Sequence, residues 1–155
     1  MRELIVISLA AAAIAAAAAV HLTAESSAGT SNGLRLDVAF GQDPRVDLGR
    51  RGPSVGDVHV IDDRLFRSGK QVGHAGGACV LNTAARPEES CTVTFSLPRG
   101  SITAQWLNTP PVRKTLAITG GTGRYRDARG EVHVTELSPS KGFMVFVMHG
   151  AAASL

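Results

Sequence analysis

The chain has 155 residues, a formal net charge of +3 and a sequence pI near 9.3. Its basic residues are scattered, and it holds one Trp and one Tyr. Nucleic-acid binders cluster their charge and interleave aromatics, so this mild basicity reads as solvated surface and no nucleic-acid partner is expected.

Leu4 to Val20 is almost wholly apolar, uncharged and alanine-rich, and Arg2 precedes it, though Glu3 weakens the basic flank. This predicts an export signal over 1–24 that forms a helix, with a retained membrane anchor as the alternative. Secretion follows from the first reading, and anchorage on the exported side from the second. Residues 25–33 are rich in Ser, Gly, Thr and Asn and read as a flexible lead-in. About 130 residues then remain, enough for one domain with its own core, expected over 34–150.

Leu34 to Phe40 predicts a strand with Leu34, Leu36, Val38 and Phe40 on one face and Asp37 on the other. Gly41 to Gly56 has no periodicity and reads as a long loop, of the kind that is often functional or mobile. Asp57 to Ile61 is the next strand. Asp62-Asp63-Arg64 closes it and Leu65-Phe66 carries it on. Gln71 to Asn82 is a strand in which Gly73, Gly76 and Gly77 predict a bulge or a close approach by another backbone. Ala84 to Glu89 is a hairpin connection. Ser90 to Leu97 alternates cleanly, with Cys91, Val93, Phe95 and Leu97 on one side. Ser101 to Leu107 follows.

Thr115 to Thr119 and Gly130 to Thr135 are strands joined by a glycine corner. Gly120, Gly121 and Gly123 are expected to supply positive φ there. The corner is not a phosphate loop: Arg124 and Tyr125 follow Gly123 where a P-loop needs Lys and Ser or Thr, and the following segment is strand-like. Phe143 to His149 is apolar at almost every position, as in a strand buried on both faces. Eight short strands with no helix outside the leading segment predict an all-β protein, a barrel or a sandwich.

Cys79 and Cys91 are the only cysteines. They lie on two strands of one hairpin, so a disulfide is expected in an exported chain, with two buried thiols as the alternative. His59, His74, His133 and His149 show no metal-ligand spacing along the chain, so no metal site is expected. No nucleophile elbow supports a Ser-His-Asp hydrolase.

From Gly56 onward the sequence resembles the allene oxide cyclase and dirigent family. The residues that carry the likeness are Gly56-Asp57, Asp63-Arg-Leu-Phe66, Lys70-Gln-Val-Gly73, Gly77-Ala-Cys-Val80, Gly100-Ser-Ile-Thr-Ala-Gln105 and, above all, Leu116 to Glu131. The resemblance implies an eight-stranded antiparallel β-barrel, commonly a homo-trimer, with no cofactor or metal. It implies a cavity for a small apolar or aromatic molecule, guiding its cyclisation, isomerisation or stereoselective coupling by orientation. The alternative is a non-catalytic carrier or interaction protein whose barrel is filled by side chains. By position, the family's catalytic carboxylate falls on Asp37 and its water-holding Asn on Asp63. Its pocket Cys falls on Cys79, and its Tyr is replaced by Asn108. These exchanges argue against a true allene oxide cyclase. The expected site is Asp63 and Asp37 as catalytic groups, with Cys79, Gln105, Asn108 and Tyr125 against the ligand; Tyr125 alternatively pins the corner.

Overall fold

The structure is a computed structural model that describes residues 33–42, 44–86, 88–109 and 113–149. The expected export segment and nearly all of the lead-in lie outside the described residues. The elements are β1 (Leu34–Ala39), β2 (Arg45–Val46), β3 (Val58–Arg67), β4 (Lys70–Thr83), β5 (Glu88–Leu97), β6 (Gly100–Asn108), β7 (Arg113–Gly121), a 3-10 turn (Gly123–Tyr125), β8 (Arg129–Ser138) and β9 (Lys141–His149). The long strands pair antiparallel with their neighbours in sequence. β1 then pairs with both β9 and β3, Leu34 opposite Phe146 on one side and Val38 opposite Leu65 on the other. The sheet therefore closes into an eight-stranded antiparallel barrel, and β2 adds a two-residue strap on β3. Closure removes the exposed edges that an open sheet must protect.

The alternation read from the sequence sets the core. Leu34, Leu36, Leu65, Phe95, Ile102, Val132 and Phe146 point inward and are almost fully buried. Phe95 and Phe146 meet edge to face, ring centres 5.0 Å apart. The last strand differs from expectation. β9 buries only Gly142, Met144, Phe146 and Met148, while Phe143, Val145 and Val147 lie on the half-covered outer face, where the Arg35 guanidinium stacks 3.6 Å from the Phe143 ring. A single-layer barrel has only one interior, so its outer apolar residues stay partly wet.

Two strand readings need extension. Asp62-Asp63-Arg64 does not end the second strand, since β3 runs unbroken to Arg67. Glu89 belongs to β5, not to the connection before it. The glycines of β4 behave as expected. The ladder skips Val72 beside Gly73, because Leu65 faces Gly73 and Phe66 faces Gln71. A Cβ at Gly77 would sit 2.1 Å from the Thr92 carbonyl oxygen, whereas one at Gly76 would meet nothing within 4 Å. Gly77→Ala is expected to cost about 1–3 kcal/mol, and Gly76→Ala to stay within about 0.5 kcal/mol of wild type. Chemical denaturation of the two variants checks the contrast.

In the glycine corner only Gly123, at φ 57°, has positive φ among the three turn glycines. Gly121 is needed for proximity instead: a Cβ there would lie 2.4 Å from the Tyr125 carbonyl oxygen. Tyr125 accepts the Ala128 amide and donates its own amide to Thr122, both at 2.9 Å.

Candidate functional site

Antiparallel strands alternate between two ends of the barrel. One end carries the corner with Tyr125. The other gathers the end of β1, the starts of β3, β5, β7 and β9, and the ends of β4, β6 and β8. A cavity of ≈ 90 Å³ opens at this second end. Its deeper wall is apolar, with Ile61, Val93, Phe95, Leu116 and Met144; Phe40 and Trp106 flank it. Its polar groups are His59, Asp63, Asn108, Lys114 and Glu136, and the Cys79 sulfur completes the lining. Pockets that enclose a drug-sized molecule hold about 300–1,000 Å³, so this space takes one small ring system, or the end of a larger one.

Asp63 is the acid of the inner wall. Asp63 is 5% exposed, and its carboxyl accepts the Gly41 amide at 3.1 Å, which ties the start of the long loop to the cavity. A second buried acid, Glu89, is not in the lining itself but stands at the rim against the cavity-lining Asn108 and His59. The Glu89 carboxylate accepts from Arg45 Nη2 at 3.1 Å and from Asn108 Nδ2 at 2.9 Å, and His59 Nδ1 lies 3.5 Å away. Arg45 comes from the β2 strap, so the loop lays a cation across the mouth. Lys114 and Glu136 pair on the facing side. The indole Nε1–H of Trp106 is buried without a hydrogen-bond partner among the described residues, a costly state that a guest's acceptor atom would relieve.

Cys79 and Cys91 form a disulfide across β4 and β5, with Cα atoms 4.0 Å apart. The expected bridge is present and forms part of the inner wall at the mouth. The 41–57 loop is closed by Asp57, whose carboxylate accepts the Ser54 amide at 2.8 Å, the Leu48 amide at 2.9 Å and the Ser54 hydroxyl at 3.0 Å. Those donors, the Ser54 and Leu48 amides foremost, hold its pKa below the ordinary aspartate value. A depressed carboxyl stabilises above its unfolded pKa and loses that contribution as pH falls through the folded value. The amide shifts of Leu48 and Ser54 are expected to move together below about pH 4, and not to do so in Asp57→Asn.

Of the residues expected in the site, Asp63, Cys79 and Asn108 do line the cavity. Asp37 does not. It sits exposed on the outer face of β1, because Leu36 and Val38 occupy the inward positions on either side of it. Gln105 is likewise exposed, turned out of β6 by Ala104 and the pocket-lining Trp106, and it borders an outer groove with Thr92. Tyr125 is fully buried at the opposite end and pins the corner. Burial pushes its phenol pKa up, while Arg124 and Arg99 pull it the other way. His59, Glu89, Trp106, Lys114 and Glu136 are site residues that sequence reasoning missed. Period-2 counting outward from Cys91 reaches Glu89, and from Ile61 reaches His59.

The closed antiparallel barrel, its apolar interior and the small cavity at one end define the class of fold. The chain belongs to the allene oxide cyclase barrel-like domain family, which matches residues 35–148. Among solved structures it is similar to a pyocyanin demethylase, at 37% identity over 73% of this chain and 97% of that one, with a TM-score of 0.64. It is also similar in fold to a pterocarpan synthase dirigent protein, at 21% identity over 76% of this chain and 96% of that one, with a TM-score of 0.56. A third likeness is to the Diels–Alderase AbmU from Streptomyces koyangensis, at 16% identity over 75% of this chain and 63% of that one, with a TM-score of 0.58. No curated protein matches.

Proposed function

We propose that this chain is an exported barrel that binds a small, flat, conjugated molecule at its mouth and guides a rearrangement of that guest by orientation and proton transfer. The observation that carries the reading is Asp63, a buried carboxyl in the wall of a cavity whose depth is otherwise aromatic and aliphatic. Such a group binds a protonated or N–H-bearing heteroatom, and it exchanges a proton with a guest held against it. Trp106, also in the cavity lining, supplies a ring face and an indole donor. Glu89, held by Arg45 and Asn108, fixes the rim around it. The name of the 37% identical relative, pyocyanin demethylase, supports a small cyclic guest. The disulfide and the apolar run from Leu4 to Val20 support export, and the family resemblance supports a homo-trimer.

A second reading, a non-catalytic carrier, draws support from the modest cavity and the well-filled core. Product formation separates the two readings. Trp106 is the chain's only tryptophan, so its fluorescence reports the pocket directly. Titration with a panel of planar heteroaromatic dyes, pyocyanin first, is expected to quench it saturably. Asp63→Asn is expected to weaken the effect by about tenfold or more, the worth of one hydrogen bond to a charged group. An unchanged affinity in a folded Asp63→Asn variant would remove Asp63 from the site.

A further inference from the structure

We propose that the barrel mouth holds a second, redox-gated site: with the Cys79–Cys91 bridge reduced, His59, Cys79 and Glu89 bind a divalent cation of zinc type. The three side chains stand on adjacent strands, β3, β4 and β5, and His59 faces Cys79 directly in the ladder. A histidine ring nitrogen, the Cys79 sulfur and a Glu89 oxygen all lie within 4.8 Å of one another. In a tetrahedral site with Zn–S near 2.3 Å and Zn–N near 2.0 Å, ligand atoms are about 3.5 Å apart. The side chains therefore need to close by about an ångström, within reach of χ rotations on a fixed sheet.

The donor set is chemically specific. One thiolate, one imidazole and one carboxylate suit a borderline-soft ion such as zinc over magnesium or calcium, which take oxygen alone. Asn108 donates to Glu89 Oε2 at 2.9 Å, so the carboxylate is already oriented by an outer partner. Arg45 now holds Glu89 from a side chain that is 46% exposed, and it can leave for solvent as the incoming cation takes over its charge. Three protein ligands leave a fourth position for water or a guest.

In the oxidised chain the Cys79 sulfur is committed to Cys91 and the site is shut. Opening it takes two electrons from an external dithiol. Its two S–H groups become a disulfide, and Cys79 and Cys91 become thiols. The Cys79 thiol then releases its proton to solvent as the thiolate takes the metal. The histidine spacings along the chain gave no hint of this, because the ligands converge across strands and not along one.

The test uses the full chain with Co2+ and Zn2+ as probes. The reduced protein, freed of reductant without air, is expected to bind about one Zn2+ per chain and to give a thiolate-to-cobalt charge-transfer band. The oxidised protein is expected to give no band. Cys91→Ser, which leaves Cys79 free, is expected to give it without any reductant. Cys79→Ser and His59→Ala are expected to lose it, and Asn108→Ala to weaken Zn2+ affinity about 10–100-fold. Circular dichroism monitors folding in each case. If the bridgeless forms fold only when Zn2+ is added, the site stands, coupled to folding. Equal binding by the oxidised and reduced chains, a band that survives Cys79→Ser, or bridgeless protein that shows no band, folded or unfolded, would each overturn the proposal.

Discussion

Phe95→Ala is expected to lower the stability of the barrel by about 3–5 kcal/mol, enough to bring a marginal domain close to its unfolding threshold. Phe95 is fully buried near the end of β5 and lies edge to face with Phe146, which is also fully buried. The cost has two parts. Removing the ring loses its transfer free energy and leaves a hole between strands that the closed ladder prevents from collapsing. It also deletes an aromatic pair worth about 0.5–1.5 kcal/mol beyond burial. Urea denaturation measures the loss. Phe146→Ala should fall in the same range, and the double variant should lose less than the sum, since both singles remove the same pair. Phe95 also lines the mouth cavity and Phe146 does not. Phe95→Leu should therefore change guest affinity, and Phe146→Leu should leave it nearly unchanged.

Loss of the Cys79–Cys91 bridge is the second large effect. The cysteines are 12 residues apart, and closing a loop of that order stabilises by about 3 kcal/mol in the chain-entropy account. Reduction, or Cys91→Ser, is expected to lower the free energy of unfolding by that amount. The eight-stranded closure and the aromatic core remain, so the bridgeless chain is expected to stay folded at room temperature. Denaturant midpoints of oxidised and reduced protein check this. Equal midpoints would mean that the bridge constrains nothing that the sheet does not already hold.

The fold was legible because barrel strands carry their own period. Cys91, Val93, Phe95 and Leu97 alternate with polar residues, and the turn residues between runs fall where the hairpins form. The site was legible only in part, and the misses share a cause. Barrel closure brings β1, β3 and β9 together, and no local pattern announces which residues share a ring of the interior. Asp37 is instructive. The alternation of Leu34, Leu36 and Val38 already turned it outward, and the family resemblance overrode the pleat. Gln105 failed in the same way, one position from the inward Trp106. Glu89 was lost because a charged residue at a strand start reads as loop, although its parity with Cys91 puts it inside. The glycine corner, the densest motif in the sequence, lies at the opposite end from the cavity. Its glycines serve chain crossings: a Cβ at Gly123 would stand 2.3 Å from the Arg99 carbonyl oxygen. Dense glycine marked a tight approach of backbones there, as at Gly77, and not a place for a ligand.

The central proposal is that a guest binds at the mouth of the barrel, with Asp63 as its acid. Chemical-shift mapping of the 15N-labelled chain, titrated with pyocyanin and related planar heteroaromatics, tests this most directly. Binding at the mouth is expected to give saturable shifts of the Trp106 indole and of the Ile61, Asp63 and Asn108 amides, with the Thr92 and Tyr125 amides unmoved. Shifts confined to the outer groove at Thr92 and Gln105, or to the corner around Tyr125, would contradict it.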